Sequence, residues 1–240
     1  MLKKIPLVLI PGLLCDGVLW KDQAAALSRI AICTITDKHM HHDTIGGIAE
    51  AIVAEAPSRF ALAGLSMGGY IALEICRRFG ERVDRLALID TSARADTHMQ
   101  KDRRESLITR CREGKFENVA ETLYPFLVHA SRLADSTLRR EVIDMAGRIG
   151  PENFIRQQRA IMDRIDQVPN LSTIDCPTVV VCGEHDQITP LECSEEMAAN
   201  ISEAELVTVS NCGHMSTMEK PERVSRIMHQ WLTQKRSSRN

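Results

Sequence analysis

Three short stretches of this chain carry residues able to build and activate a nucleophile. The first is Gly64-Leu65-Ser66-Met67-Gly68. A serine in a Gly-x-Ser-x-Gly pattern belongs on an abrupt strand-to-helix turn that holds its hydroxyl clear of the backbone. Gly64 and Gly68 lack β-carbons, so strand and helix can approach closely enough to make that turn. A hydroxyl attacks only beside a base, and the base needs a group to orient it. Two later stretches offer these in the order Ser, Asp, His: Gly183-Glu-His185-Asp186-Gln-Ile-Thr-Pro190 and Asn211-Cys-Gly213-His214-Met215. Asp90 is a rival to Asp186 for the acid, because it also ends a strand beside the serine turn. The chemistry in prospect is nucleophilic attack by a serine.

The flanking sequence supplies elements that could hold these residues. Phe60 to Ala63 reads as a buried strand before the serine, and a helix from Met67 to Phe79 follows, closed by Gly80 as its C-cap. Leu7 to Ile10 is a fully apolar run ended by Pro11-Gly12, and Thr178 to Cys182 is the most β-branched run in the chain. Arg85 to Asp90 and Glu205 to Val209 are further strands; Ala31 to Ile35 is more mixed and belongs at an edge. Helical spacing covers Trp20 to Leu27, a stretch capped by Asp43-Thr44 and reaching Ala56, Pro190 to Asn200, and Pro221 to Trp231. The tail from Lys235 to Asn240 reads as frayed.

Strands alternating with helices predict an α/β fold: a mostly parallel sheet of about six strands with helices on both faces. In such sheets ligands bind at the carboxyl ends of the strands, where all three stretches above fall. From residue 92 to 175 no strand is readable, only amphipathic helical stretches at Asp102 to Arg112, Phe116 to Leu127 and Arg139 to Arg148. That is too long for a loop. It reads as a helical cap inserted into a core made of residues 1–91 and 176–240.

Composition narrows the partners. The 240 residues are 44% hydrophobic and 26% charged, with a net charge of −2, so no charge imbalance argues for nucleic acid or an anionic membrane surface. No run of about 18 apolar residues and no signal-peptide pattern is present, which predicts a cytoplasmic protein with no membrane partner. The eight cysteines are scattered without C-x-x-C pairing, so they read as reduced thiols and not as a zinc site or a disulfide framework. No cofactor motif stands out.

The serine turn, the Gly183-Glu-His-Asp186 loop and Gly213-His214 with its Glu219-x-Pro221-Glu222 follow-on together resemble the α/β-hydrolase superfamily, and the likeness runs over essentially the whole chain. The resemblance implies Ser66 as nucleophile, His214 as general base and then acid, and Asp186 as the residue that fixes the imidazole. Ile10-Pro11-Gly12-Leu13-Leu14 resembles the family's oxyanion loop, with Pro11 where a histidine usually stands. The hole would then be the N–H groups of Leu13 and Met67, with Leu14 and Cys15 lining the pocket. The family often opens with a strand pair that this sequence shortens or lacks, which puts the second strand at one rim. The implied activity is cleavage of a small carboxylic ester, thioester or lactone through an acyl-serine, with a small-molecule substrate that could be a carrier-bound acyl group. Hydrolysis of a carbon–carbon bond in a β-diketone or ring-cleavage product is the runner-up. A non-catalytic ligand receptor on the same fold is the reading from another class.

Other polar residues have plainer readings. His39, His41 and His42 lack a partnering cysteine or carboxylate spacing and read as a solvated loop after the edge strand. His185 reads as facing outward, and Gly213 as leaving room for the His214 ring. Arg103, Arg104, Arg110 and Arg112 could meet an anionic substrate, but the interspersed Glu105 and Glu113 favour reading them as a solvated helix face.

Overall fold

Apolar runs too short for helices and bounded by glycine, proline or polar residues form the strands. The computed structural model describes residues 4–234, so the tail from Lys235 lies outside the described residues. β1 (Ile5–Ile10), β2 (Ala31–Ile35), β3 (Phe60–Leu65), β4 (Val83–Ile89), β5 (Thr178–Gly183) and β6 (Ala204–Val209) make one sheet in the order β2-β1-β3-β4-β5-β6. Every neighbouring pair is parallel. β3 and β5 are buried along their whole lengths, as strands covered on both faces must be. β2 alternates buried and open positions and forms one rim, as its mixed composition predicts.

Side chains alternate between two cores. Leu7, Leu9, Ala61, Ala63, Ala87 and Ile89 pack with Leu27 of α1 (Lys21–Leu27) and Trp231 of α9 (Pro221–Thr233). Val8, Ile10, Leu62, Leu86, Leu88 and Val180 pack with α2 (Ile45–Glu55), α3 (Met67–Phe79) and α7 (Leu191–Asn200). Thr44 caps α2 by accepting the Gly47 N–H at 3.0 Å. Gly80 does follow α3, but it keeps right-handed helical angles and continues into a 3-10 turn, Gly80–Arg82, so it is no left-handed C-cap.

Between β4 and β5 the described chain is helical: α4 (His98–Arg112), α5 (Phe116–Leu127) and α6 (Ser136–Met162). α6 breaks at Gly150, which takes φ 77° ahead of Pro151, as proline disfavours helical geometry in the residue before it. These helices share a small core of their own around Phe154, Val119 and Cys111. A four-residue turn of helix, α8 (Ser216–Glu219), precedes α9. No helix among the described residues is long and apolar enough to cross a membrane.

The chain leaves β1 toward β2 and returns to place β3 on β1's other side. The crevice at the carboxyl ends of β1 and β3 is therefore the switch point of the sheet, where such folds bind ligands. Register pairs Ile10 with Gly64 across it, which brings residues 11–14 beside Ser66.

Candidate active site

Ser66 stands at the end of β3 with φ 55° and ψ −117°, a conformation that L-residues seldom adopt. The surroundings fix it there. Its N–H donates to the Ile89 carbonyl at 3.0 Å, and its own carbonyl accepts from the Thr91 hydroxyl at 2.7 Å and from the Gly69 N–H at 2.8 Å. A β-carbon on Gly64 would lie 2.2 Å from the Gly68 carbonyl oxygen, and one on Gly68 would lie 2.2 Å from that of Ile10. Both obstacles are backbone, so neither can rotate away. The two glycines let strand, helix and the loop after β1 meet at one point.

The acid loop is a turn that binds its own aspartate. Asp186 Oδ1 accepts from the N–H groups of Ile188 (2.8 Å) and Thr189 (3.0 Å), and Oδ2 accepts from the Thr189 hydroxyl at 2.8 Å. The same Oδ2 lies 2.8 Å from His214 Nδ1. A carboxylate can only accept, so Nδ1 carries the proton and Nε2 is the free nitrogen of the ring. Burial pushes the His214 imidazole down, yet the carboxylates of Asp186, Asp90 and Glu219 hold it above its ordinary value of 6.5. Burial likewise pushes Asp186 up, but the imidazole and the turn's donors hold it below its usual range.

Asp90 does a different task. Its Oδ1 accepts from Gly183 N–H at 2.8 Å and its Oδ2 from Ser216 N–H at 3.2 Å, so it ties the start of the acid loop to the histidine loop. Complete burial, and then the neighbouring Asp186 charge, push it up to about 8. Asp90, Asp186 and the Cys182 thiol are the one group of potential metal ligands within 4.8 Å of one another among the described residues. All four carboxylate oxygens already accept hydrogen bonds, and burial keeps the thiol protonated. The group reads as a hydrogen-bonded knot.

The histidine loop is held at backbone level. Gly213 N–H donates to Glu219 Oε1 at 2.8 Å, and His129 N–H donates to Oε2 of the same side chain at 2.7 Å. Glu219 therefore joins this loop to the segment just after α5. A β-carbon on Gly213 would meet the backbone of Val128 and His129 at 2.7 Å, so the glycine admits that segment.

On the other side of Ser66, Leu14 takes φ 61° and donates its N–H to Gln157 Oε1 at 3.1 Å. Gln157 Nε2 donates to the His39 carbonyl, and His39 Nε2 faces the Cys15 carbonyl at 2.8 Å. His39 is thus fully buried and not part of a solvated loop; burial holds its ring neutral, and it braces the chain after β1. His41 is exposed near Asp37, as expected of that loop, and His185 faces outward against the edge of His129. Among the described residues the Leu13 and Met67 N–H groups have no protein acceptor.

Ser66, His214, Leu13, Leu14 and Cys15 all line one cavity of about 220 Å³, roofed by the helices between β4 and β5. Burial pushes the Cys15 thiol up to about 12, so it packs as a small apolar group. Arg103 and Arg104 also line this cavity; Arg104 is half-buried, which corrects its reading as part of a solvated face, while Arg103, Arg110 and Arg112 are exposed as expected. Sequence reasoning did not single out Gln157 or Thr189. Thr189, three residues after an aspartate, is a readable turn signal; Gln157 lies 143 residues from its partner and gives none.

The fold and this geometry agree with what the chain resembles. Residues 56–221 match the family model described as alpha/beta hydrolase fold, and the protein belongs to that family. A thermophilic esterase from Thermogutta terrifontis, solved with malate bound, superposes with a TM-score of 0.88 at 27% identity, over 96% of this chain and 90% of that one. A protein named as a carbamate hydrolase, RutD, from Serratia proteamaculans (strain 568) is 25% identical over 94% of this chain and 90% of its own length. A 2-hydroxy-6-oxononadienedioate/2-hydroxy-6-oxononatrienedioate hydrolase from Burkholderia vietnamiensis is 25% identical over 84% of this chain and 70% of its own.

Proposed function

We propose that the protein is a serine hydrolase that cleaves a carboxylic ester, thioester or lactone through an acyl-Ser66 intermediate. The observation that carries this reading is the buried 2.8 Å contact of His214 Nδ1 with Asp186, with His214 on the same cavity as Ser66 and Leu13, whose backbone N–H is unengaged. Ser66 Oγ attacks the substrate carbonyl carbon while His214 Nε2 takes the hydroxyl proton. The oxygen that becomes negative is received by the N–H groups of Leu13 and Met67; each such donor typically contributes about 3–4 kcal/mol to the transition state. The tetrahedral species collapses as the imidazolium returns its proton to the leaving oxygen or sulfur. Water, activated by the same Nε2, then releases the acid and restores Ser66. Asp186 holds the tautomer and steadies the imidazolium. Helices α4–α6, within residues 92–175, act as the cap that shapes the acyl pocket over a core of residues 1–91 and 176–240.

Turnover of short neutral esters tests this directly. Ser66→Ala is expected to fall to the uncatalysed background, and Asp186→Asn to lose about 10³–10⁴-fold in kcat, the scale seen when a triad acid is made neutral. Asp90→Asn, which keeps an acceptor for one of its two N–H partners, is expected to lose far less. Ester turnover surviving in Ser66→Ala would overturn the reading. A β-diketone cleaved by wild type in preference to every ester would replace it with carbon–carbon bond hydrolysis.

A further inference from the structure

The cavity above Ser66 has a charge the reaction itself does not need. Along α4, positions 100, 103, 104 and 107 fall on one side of the helix, at spacings of three and four. All four line the cavity. The acids of the same helix, Asp102 and Glu105, fall on the opposite side and do not line it. No aspartate or glutamate lines the cavity among the described residues.

The two arginines differ in what they touch. Arg104 is spent on structure: its Nε donates to Asp96 Oδ2 at 2.6 Å and its Nη1 to Gln158 Oε1 at 2.7 Å. Asp96 is also bound by Arg164 at 2.7 Å, so two guanidiniums share one buried carboxylate. Arg103 has no carboxylate partner among the described residues; its guanidinium lies 5.2 Å from the centre of the Phe126 ring. Stacking on an aromatic face leaves the N–H edge of a guanidinium free to bind. Arg103 therefore brings to this cavity a positive charge that no carboxylate lining it offsets. Leu107, Leu123 and Val142 supply apolar wall beside it.

We propose that the natural substrate carries a free carboxylate in addition to its reacting ester, thioester or lactone, and that Arg103 binds it. This rests on the hydrolase reading for the reacting group. The substrate class is the half-ester, or the carboxylate-bearing lactone, of a dicarboxylic acid. The planar guanidinium fork matches a carboxylate with two parallel hydrogen bonds, which gives orientation as well as affinity.

Binding tests this apart from turnover. The Ser66→Ala protein is titrated calorimetrically with monomethyl glutarate and monomethyl adipate, and with the corresponding neutral dimethyl esters. One monoester is expected to bind about 10–100-fold more tightly than its neutral counterpart, the scale of a hydrogen bond to a charged group. That ratio is expected to collapse toward unity in Ser66→Ala/Arg103→Gln and to survive in Ser66→Ala/Arg110→Gln, which removes the same charge from an exposed position of α4. Equal binding of charged and neutral esters, no binding of either, or an equal loss in both arginine variants would overturn the proposal. Failure of the hydrolase reading shows separately, as absent turnover of every ester by wild type.

Discussion

Asp90 and Asp186 lie close enough that ionising both would place two like charges in a buried space. The structure resolves this by unequal support. Asp186 has three donors of its own turn and the imidazole, whereas Asp90 has two backbone N–H groups and is pushed up to about 8. Asp90 therefore takes up a proton more readily than Asp186, whose charge sits beside His214. That charge sets a pH dependence. A base must be neutral to take a proton, and Asp186 holds the His214 imidazole above 6.5, so kcat/KM should rise with pH through a limb centred above 6.5. In Asp186→Asn the opposing effect of burial remains and the limb should move to lower pH. A wild-type limb at or below 6.5 in a kcat/KM profile would contradict this. At this scale much was legible in the sequence: Ser66, Asp186 and His214 are where their local patterns place them. His39 was not, because a histidine four residues past an edge strand carries no mark of the Cys15 carbonyl that buries it.

Elements are legible in proportion to how local their causes are. Parallel strands are buried on both faces, so β1, β3 and β5 stand out as apolar runs, and β2 betrays its edge by mixed composition. The arginines of α4 show where linear reading misleads. Glu105 neighbours Arg104 in sequence but lies about 100° from it around the helix, so interspersed charges do not share a face. Glycines separate the same way, by what surrounds them. Gly68→Ala would force a β-carbon against the Ile10 and Pro11 carbonyls, and it should destabilise the fold as a steric misfit, by about 1–3 kcal/mol or more. Gly147→Ala, in the exposed middle of α6 with nothing within 4 Å, should instead stabilise by about 0.5–1 kcal/mol. Urea unfolding of both variants checks the contrast; equal effects would mean that the serine turn is not held by close backbone approach.

Across the whole molecule, the sheet's switch point gathers residues from distant parts of the chain. β1 leads into residues 11–14, β3 into Ser66, β5 into the Asp186 loop and β6 into the His214 loop. The helices between β4 and β5 are tied to these loops at several points. Gln157 reaches Leu14, Glu219 joins His129 to Gly213, and the Met215 N–H donates to the Leu127 carbonyl at 3.0 Å. None of these long-range ties could be read beforehand, since each joins segments whose contact only the finished fold creates. The central claim is that this assembly activates Ser66. Intact-mass spectrometry after incubation with a fluorophosphonate tests it most directly, with wild type beside Ser66→Ala. The account predicts one phosphonyl adduct per wild-type chain and none on the folded variant. A folded wild-type protein that stays unlabelled, or a variant that labels equally, would contradict it.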